Sequence, residues 1–235
     1  MKNALVCLFV VIGFTLPAYA DGFHGVHSPN GVDVWAVGNN GAVFHSFDGG
    51  VTWSSSTQGS ATLRAVYTMS SNIWMTGDNG VSHSSTDGGT TWNTQTLAGG
   101  TTLRAIIFFN SQTGWIAGNN GVILKTSNNG SSWAAENSTT TQQINSLTFT
   151  DVLTVYAAGA AGTLLKTTNG GSTWTSMAPA GWTKDILSVS ASGQTVFVSG
   201  TDDFCSKSTD GGSTWSTLNF RTDTHVDVTD VFAVS

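Results

Sequence analysis

Charged residues are scarce in this chain. Asp, Glu, Lys and Arg together make up 9% of its 235 residues, whereas about a quarter is usual for a globular protein. Only 8 residues are basic against 14 acidic ones, and no basic run occurs. Coiled coils, acidic solvating tails and nucleic-acid-binding arms all need dense charge, so the composition excludes them. We therefore expect no nucleic-acid partner.

Cysteine is equally rare, with Cys7 and Cys205 as the two examples. Cys7 lies in Met1–Ala20, where a short basic head precedes an apolar stretch and Ala18-Tyr19-Ala20 forms a small-x-small cleavage site. This pattern is typical of a secretory signal peptide. The stretch is shorter than the roughly 20 residues that span a bilayer. We predict export to the periplasm, thylakoid lumen or extracellular space, no membrane span, and a mature domain at 21–235 without an internal disulfide.

A repeat of about 41 residues accounts for much of the rest. The motif Ser/Thr-x-Asp/Asn-x-Gly-x-Thr/Ser-Trp occurs five times, and its tryptophans are spaced 39, 41, 41 and 41 residues apart. An aromatic-x-x-Gly element, such as Trp115-Ile116-Ala117-Gly118, lies eighteen residues before each of them. A third element, such as Leu103-Arg104-Ala105-Ile106, lies further upstream in the same register. Three elements stepping together indicate a repeated structural unit.

Each repeat predicts four strands. The Leu-Arg-Ala-Val type of element forms the first strand and the aromatic-x-x-Gly element forms the second. An Asn-Gly hairpin such as Asn39-Asn40-Gly41 leads to the third, and the fourth begins at the motif tryptophan. Four strands in about 41 residues match one blade of a β-propeller. We predict an all-β propeller of about five four-stranded blades.

The chain carries one further strand-like segment after the fifth repeat. Residues 228–234 match the first strand of a sixth unit. This extra strand either closes the ring against the first blade, or the five blades are a truncated version of a larger ring. An open ring edge would permit self-association, because it exposes sheet edges and apolar surface.

The chemistry of the motif is that of a turn. Its Asp or Asn side chain accepts backbone N–H groups of its own loop, and its tryptophan is expected to bury its ring between neighbouring blades. Since two copies carry Asn, an acceptor oxygen is needed and not a charge. We predict structural roles, and neither catalysis nor metal binding, for Asp48, Trp53, Asp87, Trp92, Asn128, Trp133, Asn169, Trp174, Asp210 and Trp215.

These five copies resemble the Asp-box, or BNR, repeat of sialidases, some xyloglucanases, sortilin-type receptors and photosystem II assembly/stability factors. The segment Gly114–Trp133 is most similar to the photosystem II assembly-factor family. The resemblance implies an exported binding or assembly scaffold without enzymatic activity, which holds a protein or peptide client on the loop face of the propeller. In that family an arginine-rich face is implicated in binding the client.

Residues that would carry catalysis are poorly represented. A sialidase-like site would need three arginines besides its acids, and the chain has three arginines in all and one glutamate, Glu136. The five histidines show no zinc-ligand spacing, and His45 shares its repeat position with lysines, which favours a solvated strand residue. We predict no catalytic residues, no metal and no cofactor. A glycan-directed protein, either a lectin or a sialidase-like glycosidase, is the alternative function.

The candidate binding residues occupy one repeat position, the second residue of the first strand. They are His24, Arg64, Arg104 and Asn145. First strands converge at the channel of a propeller, and an arginine fork binds carboxylates in a bidentate manner. We hypothesise a recognition patch there. The alternative is that the two arginines stack on tryptophans or pair with Asp78 or Asp151.

Overall fold

A computed structural model describes residues 22–218, 226–231 and 233. The predicted signal peptide lies outside these residues. Twenty strands are present in the described part, and four single 3-10 turns are its helical segments, at Asn39–Gly41, Asp78–Gly80, Ala98–Gly100 and Asn119–Gly121. Within these ranges no helix has the length and apolar character needed to cross a membrane.

The strands form five antiparallel four-stranded sheets, each a meander in chain order. The first two blades are β1 (Phe23–His27), β2 (Val34–Gly38), β3 (Ala42–Ser46), β4 (Ser54–Thr57), and β5 (Leu63–Met69), β6 (Asn72–Gly77), β7 (Val81–Ser85), β8 (Asn93–Thr96). The other three are β9 (Leu103–Phe108), β10 (Gly114–Gly118), β11 (Ile123–Thr126), β12 (Ala134–Glu136), then β13 (Ile144–Phe149), β14 (Val155–Gly159), β15 (Leu164–Thr167), β16 (Thr175–Ser176), and β17 (Ile186–Ser192), β18 (Thr195–Gly200), β19 (Cys205–Ser208), β20 (Ser216–Thr217). The prediction of an all-β fold with five four-stranded blades is confirmed.

The first strand of each blade lies on the inner side. First strands of successive blades contact one another from β1 through β17, whereas fourth strands such as β4 are exposed along their whole length. This arrangement brings the candidate position at the start of each first strand towards the centre of the assembly.

The core lies between the blades. Trp35 and Val37 of the first blade pack against Leu63 and Met75 of the second, and later junctions repeat this arrangement. The second-strand aromatics of the second, third and fourth blades, Trp74, Trp115 and Tyr156, are among the largest fully buried side chains. Burying such a side chain stabilises the fold by about 1.5–3 kcal/mol, so the aromatic-x-x-Gly element supplies the inter-blade wedge.

The glycine of that element allows a close approach of two chain segments. A Cβ on Gly118 would lie 2.2 Å from the carbonyl oxygen of Thr102 and 2.9 Å from Cα of Leu103. Its φ of −171° is ordinary extended backbone, so the requirement is one of space. Glycine recurs at this position because, in each later blade, the segment that leads into the first strand crosses the end of the second strand too closely for a Cβ.

The expected packing of the motif tryptophans between blades holds for the later copies, where Trp92, Trp133 and Trp215 are partly buried against inter-blade clusters, and it is wrong for Trp53. Trp53 is 40% exposed, and Trp174, at 3%, is the copy that is buried. The Trp53 indole folds back over its own turn, where Nε1 donates to the carbonyl oxygen of Gly50 at 2.9 Å. No described blade lies in front of the first one, so nothing among the described residues covers this ring.

The described C-terminal segment continues the series of first strands. Val228 N–H donates to the Gly200 carbonyl at 2.9 Å, and Ala233 N–H donates to the Ser190 hydroxyl at 2.9 Å. Val231 N–H donates to the Ser188 hydroxyl, and one blade earlier Val189 N–H donates to the Ser146 hydroxyl in the same way. The segment therefore occupies the place of a first strand beyond β17. Among the described elements, β1 and β17 make no contact comparable with those of successive first strands.

Candidate binding face

The two ends of the blades differ in chemistry. One end, the hairpin face, consists of the turns at 39–41, 78–80, 119–121 and 160–162 with the starts of the first strands. There the Asn119 N–H donates to the Thr102 carbonyl at 2.9 Å. The other end, the box face, consists of the motif turns at 46–53, 85–92, 126–133, 167–174 and 208–215. There the Gly170 N–H donates to the Leu153 carbonyl at 2.8 Å.

The motif acids of the box face are occupied within their own turns. Asp87 accepts the Thr91 N–H at 2.9 Å, the Thr91 hydroxyl at 2.6 Å and the Ser85 hydroxyl at 2.8 Å. These bonds, led by the one from the Thr91 hydroxyl, lower the pKa of Asp87 to about 2. Asp48 and Asp210 have the same environment and a pKa lowered to about 2. These carboxylates remain ionised at neutral pH, so they have no proton to donate.

Asn replaces Asp in two turns without changing the bonding pattern. Asn128 Oδ1 accepts the Ser132 N–H at 3.0 Å, and its Nδ2 donates to the Ser132 hydroxyl at 2.9 Å. Asn169 repeats both bonds with Thr173. The turn therefore needs an acceptor oxygen at this position and not a charge.

A basic residue preceding the motif covers the second-strand aromatic. The Lys125 ammonium lies 5.6 Å from the Trp115 ring centroid, and its Nζ donates to the Gly170 carbonyl of the next blade at 2.6 Å. The prediction that His45 is a solvated strand residue is wrong. His45 takes the place of the lysine in the first blade, and its ring stacks on Trp35 at 3.8 Å between centroids. The sequence showed that His45 and the lysines share a repeat position. It did not show that the aromatic ring they cover lies on the neighbouring strand.

On the hairpin face, three of the four candidate residues make the same kind of contact. Each bonds to the first residue of the following hairpin turn in its own blade. The pairs are His24 Nε2 with Asn39 Oδ1 at 2.7 Å, Arg64 with Asp78, and Arg104 Nε with Asn119 Oδ1 at 2.7 Å. These three pairs form a polar row across blades one to three.

Asn145 departs from this row. Its hairpin turn carries Ala160 where the other turns carry Asn or Asp, so no side-chain acceptor is available there. Asn145 Nδ2 instead donates to the Ile186 carbonyl of the next blade at 2.9 Å. The structure thus places Asn145 in a blade-to-blade contact, separate in its bonding from the row.

The two arginines differ in how their charge is balanced. Arg64 binds Asp78 with two nitrogens, Nη2 to Oδ2 at 2.9 Å, and this contact is the main reason that the pKa of Asp78 is lowered. Arg104 has one bond, from Nε to Asn119. No carboxylate in the described part of the chain lies within ion-pair distance of Arg104, and no aromatic ring there stacks on either guanidinium. The alternative of an Asp78 partner is therefore realised for Arg64.

Burial makes the charge of Arg104 unfavourable. The residue is partly buried, and burial lowers its pKa, with the nearby charge of Arg64 acting in the same direction and the charge of Asp78 opposing both. A guanidinium nevertheless stays protonated at all ordinary pH values. Arg104 is thus a half-buried cation whose terminal amino groups have no partner among the described residues.

Other titratable groups of the described ranges do not assemble into a site. No group of three or more His, Cys, Asp or Glu residues there is placed to hold a metal ion. His27 accepts the Thr68 N–H at Nδ1, and burial lowers its pKa to about 4. Burial raises the pKa of Glu136, and the charge of Lys125 partly opposes this effect.

Solved structures of similar fold include propellers of several kinds. The structure of YCF48 from Cyanidioschyzon merolae is 17% identical, with a TM-score of 0.57 over 84% of this chain and 85% of that one. A GH74 enzyme from Niastella koreensis is 23% identical, with a TM-score of 0.70 over 83% of this chain and 38% of the enzyme. The RRP9 WD40 repeats are 10% identical, with a TM-score of 0.73 over 92% and 71%. At these identities the likeness is one of fold.

The family comparison is more specific. None of the curated proteins compared with the chain matches its sequence. A family model described as photosynthesis system II assembly factor YCF48 matches residues 60–137 and again residues 126–234. These two overlapping matches include four of the five motif copies and both Arg64 and Arg104. The chain belongs to the family of the photosynthesis system II assembly factor YCF48.

Proposed function

We propose that this protein is an exported, non-enzymatic scaffold that binds a protein or peptide client on its hairpin face. Membership of an assembly-factor family supports a binding role. By analogy with the name of that family, the client is a component of photosynthesis system II under assembly. The box face serves the fold, since its acids are held in their turns.

The terminal nitrogens of Arg104, which have no hydrogen-bond partner among the described residues, carry this proposal. Its Nε is fixed by Asn119, so the planar fork is held in one orientation with its terminal nitrogens available. A carboxylate of the client would give this half-buried cation a partner and offset its desolvation. Arg64 contributes less, because Asp78 already balances its charge. The expected client therefore presents an acidic side chain or a free C-terminal carboxylate.

Affinity capture tests the proposal. Immobilised wild-type protein is exposed to an envelope extract of its source, and the retained client is identified by mass spectrometry. Binding of a labelled client peptide is then compared for wild type, Arg104→Gln and Lys207→Gln. Lys207 lies in β19 next to a motif turn, on the box face. Both substitutions remove one positive charge, so they change the net charge equally. A charge-assisted bond of about 1.5–3 kcal/mol predicts a tenfold to hundredfold weaker affinity for Arg104→Gln.

Two outcomes would count against the proposal. Equal affinities for wild type and Arg104→Gln would exclude the guanidinium as an anchor. Retention of a glycan on an array, with no protein captured, would favour a lectin instead. Hydrolysis by a sialidase-like mechanism receives no support from Asp48, Asp87 or Asp210, because a pKa of about 2 leaves them without a proton to transfer.

A further inference from the structure

A groove lies at the seam between the second and third blades, beside the hairpin face. It has a volume of about 330 Å³. Its apolar lining comes from Ala98, in the turn that leaves the second blade, and from Val122, Leu124 and Ala135 of the third blade. Asn120 of the hairpin turn at 119–121 also lines it. We call this groove the seam pocket.

The apolar lining belongs to one face of the third blade. Val122 and Leu124 lie two residues apart on an extended segment and point the same way, and Leu124 pairs with Ala135 of β12. Leu124 is buried in the cluster against which Ala98 and Val122 also pack. Glu136 follows Ala135 and points to the opposite face, where its carboxyl group packs on the fourth blade. The remaining lining residues are uncharged, so the pocket has an apolar floor.

The outer wall of the seam pocket departs from the repeat. Ala135 is exposed, and it is the one apolar residue at its repeat position. The other four blades carry hydroxyl side chains there, namely Ser55, Thr94, Ser176 and Thr217. Thr suits a strand better than Ala does, so the exchange does not serve β12 itself. It extends the apolar lining outward from Leu124.

The opposite wall holds a side chain in an unfavourable backbone conformation. Ala98 has a φ of 50°, in a region that glycine adopts at little cost. Gly59 occupies the aligned position in the first blade, with a φ of 69°. Residues held in such conformations cluster at binding sites. The methyl group of Ala98 adds to the apolar lining where the first blade has none.

The seam pocket lies within reach of a peptide bound at Arg104. Asn119, which fixes Arg104, is adjacent in sequence to Asn120 of the pocket. In the third sheet, β10 separates β9, which carries Arg104, from β11, and β12 is the next strand outward. Neighbouring strands lie about 4.8 Å apart, so the pocket is roughly 10–15 Å from Arg104. An extended chain covers this distance in about three to five residues.

We propose that the seam pocket receives an apolar side chain of the client, about three to five residues from the acidic group that Arg104 binds. This inference rests on the function proposed above and adds a second requirement to the client. A volume of about 330 Å³ is at the small end for ligand sites, which suits one large side chain such as Leu, Ile, Met or Phe. The charge of Arg104 selects acidic peptides, and burial in the pocket discriminates among them.

Selection from a surface-displayed library of random decapeptides with free C-termini tests the proposal. The full chain is immobilised as wild type, Ala135→Gln, Ala134→Gln and Arg104→Gln, and the enriched peptides are sequenced. Wild type should enrich peptides that carry an acidic group and, about three to five residues away, a large apolar residue. Ala135→Gln places an amide in the pocket and should lose the apolar preference alone, whereas Arg104→Gln should lose the acidic preference. Ala134→Gln is the matched control, because alternation puts this exposed residue on the opposite face of β12.

A synthetic peptide from the wild-type selection gives the magnitude. Its affinity, measured by fluorescence anisotropy, should fall about tenfold to hundredfold for Ala135→Gln and stay within about twofold for Ala134→Gln. Thermal unfolding verifies that both variants fold.

Two results would overturn the inference and leave the role of Arg104 standing. One is a wild type that enriches acidic peptides without an apolar preference at this spacing. The other is equal affinity of wild type and Ala135→Gln for the selected peptide. Enrichment without an acidic preference, or no enrichment, would refute the proposed function and this inference with it.

Discussion

Replacement of Gly118 by Ala should destabilise the fold by about 2–4 kcal/mol. The added Cβ would stand 2.2 Å from the Thr102 carbonyl oxygen and 2.9 Å from Cα of Leu103. Both atoms belong to the backbone, so relief requires the strand to move. Movement weakens the bond from Asn119 N–H to that carbonyl, worth about 1 kcal/mol. It also displaces Leu103, which is fully buried, and overpacking of this kind costs about 1–3 kcal/mol.

Urea unfolding followed by tryptophan fluorescence measures this effect, and thermal unfolding should show a decrease in Tm of roughly 5–15 °C. Gly99→Ala is the control, because its φ of +61° is unfavourable for Ala whereas no atom lies within 4 Å of the added Cβ. It should cost about 1–2 kcal/mol through backbone strain alone. If Gly118→Ala proved as stable as wild type within about 0.5 kcal/mol, the account of the repeated glycine as a crossing point would be refuted.

Two further predictions concern protonation and the motif turn. His27 accepts the Thr68 N–H and its pKa is lowered to about 4, whereas the unfolded chain takes up that proton near pH 6.5. Its contribution is therefore complete above about pH 6.5 and is lost as the pH falls towards 4, by up to about 3 kcal/mol. Urea unfolding of His27→Gln should show less pH dependence over this window than wild type, and equal dependence would contradict the assignment. Asp87→Asn should melt like wild type, because Asn128 already serves an equivalent turn, whereas Asp87→Ala should melt earlier; equal melting of both variants would remove the turn role.

The repeat made the blades predictable from the sequence. The second, third and fourth strands of most blades are marked by local signals, namely the aromatic-x-x-Gly element, the Asn-Gly hairpin and the motif turn. The turn at Asn39–Gly41 needs the left-handed conformation, and Asn40 at a φ of 55° adopts it. Such signals depend on a few neighbouring residues, so a single sequence is sufficient to read them.

Contacts between strands and between blades were harder to predict. The stacking of His45 on Trp35 and the reach of Lys125 to Gly170 depend on register and on the next blade. How deeply each motif tryptophan is buried depends on the blade in front of it, which a single repeat does not show. For Trp53, the absence of a described blade in front of it leaves the ring exposed.

The candidate site was predictable in position but not in its charge balance. The alignment placed His24, Arg64 and Arg104 at equivalent points, and their partners at the hairpin turns are equivalent as well. Arg64 bonds to a carboxylate and Arg104 to an amide, because the aligned turn position holds Asp78 in one blade and Asn119 in the other. This pairing could have been found by comparing the two aligned columns. The partner of Asn145 could not have been found in this way, because its own turn carries Ala160 and the residue bonds to the Ile186 carbonyl of the next blade.

Site-specific photo-crosslinking tests most directly whether clients bind the hairpin face. A photoreactive amino acid is introduced at Asn120, which is exposed on the hairpin face of the third blade, or at Ser127, which is exposed on the box face of the same blade. Each variant is irradiated with the client protein that wild type retains. Crosslinks from position 120 and not from position 127 are the predicted result. Crosslinks from position 127 alone would contradict the assignment of the box face to structure and the hairpin face to binding.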